Sequence, residues 1–204
     1  MHKKFSFVIA MGAISALAIT GCSSAPKVER IKVEKKVDLS GRWNDTDSRT
    51  VSEEMIKNCL AQPWLDEFHK ASGRNPVVIV GPINNLSDEH INVNLFVKDL
   101  EANLINSNKA TFVASNTERA SVRGERQDQQ AGLTDPATVK PMGQETGADF
   151  MLQGSVNTVR DEIKGKYVIL YQVNLELIDL TTNQKKWVLQ TEFKKLVSRS
   201  QYSL

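Results

Sequence analysis

The sequence predicts a mixed α/β fold: a single domain in which a mostly antiparallel mixed sheet carries flanking helices. Three observations predict it. Apolar residues recur at helical spacing over Thr50–His69 and Val93–Ser107. The run NPVVIVGPIN, Asn75–Asn84, is continuously apolar, of strand length and punctuated by Gly and Pro, the pattern of a buried strand. From Phe150 to Lys195 the pattern changes to long alternating stretches joined by polar turns, which is hairpin patterning.

The chain opens on a segment that does not belong to this domain. Lys3 and Lys4 precede an apolar run, Phe5–Thr20, too short and too broken by Ser and Gly for a spanning helix; residues 1–21 read as a secretory signal. Its end, Ile19-Thr20-Gly21-Cys22, resembles the lipobox of bacterial lipoproteins. That resemblance implies cleavage before Cys22, a diacylglyceryl group on its sulfur and acylation, palmitate-type, of the new amine. Several chains would anchor the protein durably where one holds it only marginally. Ser23 and Ser24 follow, which resembles sorting to the outer membrane, periplasmic face. Residues 22–37 read as a lipidated tether: charged, without aromatics, and with only the weak alternation of Val28, Ile31, Val33 and Val37. Residues 38–204 form the domain, long enough at roughly 165 residues for one substantial core.

Within the domain, Asp38–Ser48 is turn-rich, with Gly41, Asn44 and Asp45 interrupting any period. The first helical stripe uses Val51, Met55, Ile56, Cys59, Leu60, Trp64, Leu65 and Phe68, capped by Ser48 or Thr50. Pro63 lacks a donor inside it and predicts a kink or two abutting helices. The buried strand Asn75–Asn84 leads through a loop, Asn85–His90, into a helix carrying Leu95, Phe96, Leu100, Leu104 and Ile105. Lys109–Ala114 is a short strand, Glu118–Gln130 a solvated helix or mobile segment, and Asp135–Gly147 another short helix begun at Asp135-Pro136. Phe150–Val159, Tyr167–Asp179 and Trp187–Lys195 close the sheet, with turns over Asp161–Lys166 and Leu180–Lys185.

Composition excludes several functions. The leader holds two of the 26 basic residues, so the remainder balances 24 acidic residues with 24 basic ones and gives no electrostatic reason to bind nucleic acid. With Cys22 lipidated, Cys59 is left without a disulfide partner, and the core alone must hold the fold. Cys59 and His69, ten residues apart on a nominal helix, are about 80° and roughly 15 Å apart and cannot pair as nucleophile and base. Cys59 lies on the apolar stripe and reads as an inert buried thiol. His69 and His90 have no ligand neighbour at metal-binding spacing, and Asp45-Thr46-Asp47 lacks the Gly and bidentate Glu of a calcium loop. No nucleotide or nucleophile-elbow motif occurs. The expectation is no catalysis, no metal and no cofactor.

Surfaces remain. Arg42, Trp43 and Asp45 place residue types enriched at interface hot spots in a turn-rich segment; Trp43 reads either as such an anchor or as a plug at the edge of the core. Arg119, Arg123 and Arg126, set against Glu118, Glu125 and Asp128, read either as a charged docking face or as a solvated helix. Trp64 and Trp187 lie on apolar stripes and belong to the core.

Five stretches, taken together and in order, resemble one family: DLSGRWNDTDSRTVSEEMI (38–56), PWLDEF (63–68), NPVVIVGPINNLSDEHIN (75–92), TGADFMLQGSV (146–156) and LELIDLTTNQKKWVLQTEFKK (175–195). They are similar to the penicillin-binding protein activators, LpoB-like outer-membrane lipoproteins. The resemblance implies a fold like the TolB amino-terminal domain. It also implies a non-enzymatic role, in which a monomer docks on a bifunctional peptidoglycan synthase and stimulates its two activities in support of cell-wall synthesis and cell shape. The GAD…GS piece alone also resembles CsgG-type domains, which would make the chain a structural component of an envelope or secretion assembly. In one respect the chain departs from the best-known members of the family: its tether is roughly 15 residues, at most about 50 Å when extended, with the single proline Pro26, where those members carry a long proline-rich one.

Overall fold

In the computed structural model residues 28–198 are described; Cys22 and the leader lie outside them. The chain divides into two compact units, Met1–Lys35 and Lys36–Leu204. Of the first, residues 28–35 are described, and they hold one turn, Lys35 N–H donating to the Lys32 carbonyl.

The second unit is one mixed α/β domain. Its elements are α1 (Asp45–Leu60), α2 (Pro63–Ser72), β1 (Val77–Asn85), α3 (Val93–Asn106), β2 (Thr111–Phe112), α4 (Asn116–Asp128), β3 (Phe150–Ile163), β4 (Lys166–Asp179) and β5 (Lys185–Ser198). The sheet runs β2-β1-β3-β4-β5. β1 is parallel to β2 and β3, because a helix or helix-containing crossover separates them; β3, β4 and β5 are antiparallel, because tight turns join them.

Local chemistry fixes each boundary. The first helix starts earlier than the capping expectation placed it. Asn44, read as a breaker, is the N-cap: its side chain accepts from the Asp47 N–H while Asp47 accepts from the Asn44 N–H. Ser48 instead accepts from the Trp43 indole. Pro63 separates two helices, standing at the first position of α2, where its missing N–H costs nothing; Gly73, at φ 68°, closes α2 in the left-handed region. The helix expected within Asp135–Gly147 is absent. A turn held by Asp135 gives way to exposed irregular chain through Pro141 and Gly143 (φ 75°), which has no apolar stripe to bury and so gains nothing from coiling. β2 pairs over only two residues. β3 runs on to Ile163, so the expected turn over Asp161–Lys166 shrinks to Lys164-Gly165, with Gly165 at φ 80°.

The core lies on one face of the sheet. Tyr167, Ile169, Tyr171, Val173, Leu175 and Leu177 of β4 are all buried, together with Phe150, Leu152 and Val156 of β3. Against them pack Met55, Ile56 and Cys59 of α1, Trp64 and Leu65 of α2, and Phe96, Leu100 and Leu104 of α3. Val77, Val78, Ile79 and Val80 are buried without alternation, as in a central parallel strand. Two glycines mark close approaches. A Cβ at Gly154 would stand 2.0 Å from the Asn174 carbonyl oxygen, and one at Gly81 would stand 2.6 Å from the Met151 sulfur. The β1–β3 register shifts between Val80 and Ile83, around Gly81-Pro82, where Pro82 can give no ladder hydrogen bond. The opposite face of β3–β5 shows half-buried or exposed side chains among the described residues.

Candidate docking surfaces

The segment that enters the domain is clasped to the far end of the hairpin sheet. Lys195 on β5 donates to Asp38 Oδ1 at 2.7 Å, to Asp47 Oδ2 at 2.6 Å and to the Arg42 carbonyl at 3.1 Å. Tyr167 OH donates to the Ser40 carbonyl at 3.1 Å. Burial pushes the Asp47 carboxyl above the usual carboxylate range, opposed by the Lys195 ammonium and the Asn44 amide. Lys195 thus ties the entering chain, the cap of α1 and β5 together.

Trp43 sits within this clasp as a plug at the edge of the core. Its ring meets Phe96 edge-on at 6.2 Å and Tyr171 at 5.7 Å and lies tilted against Phe193 at 5.7 Å. Its backbone N–H donates to Glu89 at 3.1 Å, and Tyr171 OH donates to the other oxygen of Glu89 at 2.8 Å. Burial first, and then the Glu89 carboxylate, push the Tyr171 phenol far above its ordinary pKa, so it stays a donor. Arg42 and Asp45 beside it are exposed. Glu89 and Lys195 escaped sequence reading: one sits in a polar loop, the other at an ordinary alternating position, and neither pattern signals a contact so distant along the chain.

The three arginines of α4 divide. Arg123 grips Glu145 with two donors at 3.0 and 2.7 Å, and Arg126 reaches the same carboxylate at 2.8 Å. These pairs hold Glu145 at about pKa 2, with Arg123 the main cause, and pin the irregular 135–147 segment to α4. Arg119 is half-buried, its Nε without a hydrogen-bond partner among the described residues. Lys98 links α3 to α4 by a 2.6 Å bond to Glu118. No residue of α4 is buried, so the solvated-helix expectation fits its placement.

The GAD…GS stretch acquires a structural reason. Asp149 accepts two bonds from Arg74 at 2.7 Å and one from the Val77 N–H at 2.8 Å, tying the start of β3 to the start of β1. Gly154 fits beneath the β4 backbone where no side chain could.

The open sheet face bears a row of amides and hydroxyls, Gln153, Ser155, Asn157, Gln172 and Asn174, cross-linked by side-chain hydrogen bonds such as Gln153 to Glu176 at 2.7 Å. Toward the β3–β4 turn the row becomes apolar. Val159 stands opposite Leu170, and Val168 opposite Leu196. Cys59 is buried, and desolvation pushes its thiol up to about 12, far from a nucleophile. Among the described residues no cluster of His, Cys, Asp and Glu could hold a metal, and no helix is long and apolar enough to cross a membrane.

The fold defines a class, a single mixed α/β domain whose five-stranded sheet carries flanking helices. The profile of the family described as Peptidoglycan-synthase activator LpoB matches residues 47–193, and the chain belongs to that family. Among solved structures it is similar to the LpoB C-terminal domain from Escherichia coli, at 15% identity over 72% of this chain and 98% of that one, TM-score 0.41. It is likewise similar to the LpoB C-terminal domain from Salmonella enterica, at 19% identity over 67% and 96% of the two chains, TM-score 0.33. A third similar structure is the lipoprotein GNA1162 from Neisseria meningitidis, at 19% identity over 59% and 83%, TM-score 0.37. Among curated proteins, none matches the chain.

Proposed function

We propose that the chain is a lipid-anchored periplasmic protein of the outer membrane that binds a bifunctional peptidoglycan synthase and raises its activity, acting without catalysis of its own. The observation that carries this reading is the family match over residues 47–193, which spans the domain from the cap of α1 to β5. Cys22 supplies the anchor, residues 22–37 the tether and residues 38–204 the domain. The domain acts as a monomer that binds the more active conformation of the synthase better and shifts its population by that difference in affinity.

Of the residues named from sequence as partner contacts, Arg42 and Asp45 are free to reach a partner, whereas Trp43 would act by holding the segment that presents them. Arg119, Arg123 and Arg126 offer a second face, in which Glu145 already engages the last two. The test is to purify the unlipidated chain and measure co-purification with the cell's bifunctional synthases, then their glycan polymerisation rate. Stimulation at stoichiometric protein supports the reading. If neither binding nor stimulation occurs, it fails, and a ring-sized oligomer on size measurement would favour an envelope-assembly component instead.

A further inference from the structure

The end of the sheet that receives the tether carries an apolar surface edged by lysines. Three exposed apolar residues lie on the strands there, Ile163 at 70% exposure, Leu196 at 69% and Val159 at 65%, and Leu39 of the entering segment is exposed as well. Register places Val159 opposite Leu170 and Val168 opposite Leu196, and puts Ile163 diagonal to Val168, so these five strand residues share the open face as one patch, while Leu39 belongs to the entering segment, which contacts Tyr167, Lys195 and Val197 of the other face. Lys164 and Lys166 flank the turn glycine, and Lys194 stands opposite Leu170 on the same face. Asp161, opposite Val168, is the acidic group within the patch. Glu162, on the other face, is paired with Arg160.

Where the outside chain ends is fixed by contacts. Asp38 is bound to Lys195, the Ser40 carbonyl to Tyr167, and the space at Gly41 is filled by Val197; Lys195 and Val197 flank Leu196, and Tyr167 lies beside Lys166. The tether that enters here is short and basic, with Lys27, Arg30, Lys32, Lys35 and Lys36 against Glu29 and Glu34. From the lipidated Cys22 it spans at most about 50 Å.

We propose that this end of the sheet is a membrane-facing foot, in which Ile163, Leu196 and the lysines of the β3–β4 turn rest on the anionic phospholipid surface that holds the anchor. The inference rests on the lipid anchor in the reading above, and it goes beyond that reading by giving the domain an orientation. A lipid surface fits better than a protein here because the short basic tether joins the domain at this end and keeps it within about 50 Å of the anchor. Lysines then meet anionic headgroups while exposed apolar side chains enter the interface. The amide row lies farther from the turn along the same face and is left for a partner.

The test uses the mature chain from residue 22 with Cys22→Ser, so that neither lipid nor the apolar leader masks weak binding, and co-sedimentation with vesicles of phosphatidylethanolamine and phosphatidylglycerol or of phosphatidylcholine alone. Binding is expected to the anionic vesicles and to fall with added salt. The pair Lys164→Glu with Lys166→Glu should weaken it by about tenfold or more. Ile163→Ser with Leu196→Ser should also weaken it, and Val188→Ser, an exposed apolar residue away from the turn, should leave it unchanged. Circular dichroism confirms that each variant folds. Equal binding by parent and turn variants would assign all attraction to the tether and overturn the foot, as would absence of binding. Loss of synthase co-purification in the turn variants, with vesicle binding kept, would make the patch a protein-docking site. Synthase stimulation measured in detergent separates the two ideas: the foot can fail while stimulation stands, and stimulation can fail while the foot binds.

Discussion

Lys195→Met tests whether the clasp holds the entering chain by charge. Lys195 is 12% exposed at its side chain, and so is Asp47, whose carboxylate it touches at 2.6 Å. Methionine keeps the stem and removes three donated contacts. The Asp38 pair contributes little, because Asp38 is more than half exposed and solvent screens it. The cost comes from Asp47, left partly buried without its counter-charge, and from the Arg42 carbonyl, left without that donor. Hydrogen bonds to charged groups are worth roughly 1.5–3 kcal/mol, so a loss of about 2 kcal/mol is expected at neutral pH. For a domain of this size that lowers the Tm by about 4–8 °C.

The pH dependence gives the sharper reading. Burial already raises the Asp47 pKa above its unfolded value, and removing Lys195 takes away an interaction that lowers it, so the folded-state pKa rises further. A raised carboxyl pKa means that stability is present below the unfolded pKa and lost as pH rises through the folded one. The variant's deficit should therefore be full at pH 7 and shrink on acidification through the carboxylate range, where a neutral Asp47 needs no partner. Thermal melts of parent and variant at pH 7 and pH 4, followed by circular dichroism, measure it. A deficit equal at both pH values, or none at pH 7, would refute the charge clasp and leave Lys195 a packing residue.

Other outcomes follow from the same structure. Trp43→Ala should cost about 3 kcal/mol in urea unfolding, because its ring fills the space between Phe96, Tyr171 and Phe193; a loss of synthase binding with stability unchanged would instead make it an interface anchor. Gly154→Ala should destabilise by about 2 kcal/mol or more, since the new methyl meets backbone that cannot yield as a side chain would. Glu145→Gln should leave the Tm almost unchanged but speed hydrogen exchange across 135–147, the segment its carboxylate pins to α4. Cys59 should resist thiol reagents at pH 8 in the folded chain and react at once in denaturant, as burial and its raised pKa require.

Much of the fold was legible because its signals are periodic. The alternation in β4 buries the six residues it assigned to one face, and the stripe from Val51 to Leu65 buries as α1 and α2. The misreadings fell where a single side chain decides. Asn44 looks like a breaker until Asp47 completes a reciprocal cap with it. Asp135-Pro136 looks like a helix start, but the segment after it has no apolar face and is held by arginines from another helix. Of the candidate surface residues, sequence named the α4 arginines but gave no sign that Glu145 occupies two of them. It named Trp43 with both readings open, and the ring contacts place it at the core edge.

By itself the sequence determined the class of structure, the single domain, the core face of each long element and a family resemblance that the profile match supports. These follow from period, length and composition, which are local properties of the chain. Only the tertiary structure decided that Lys195 and Glu89 hold the segment from Asp38 to Asp47 against the β3–β4 end of the sheet, and that among the described residues one face of β3–β5 keeps half-buried or exposed side chains. Those facts depend on pairs such as Asp47 and Lys195, far apart in sequence, and no local pattern encodes which distant side chain will complete a buried charge.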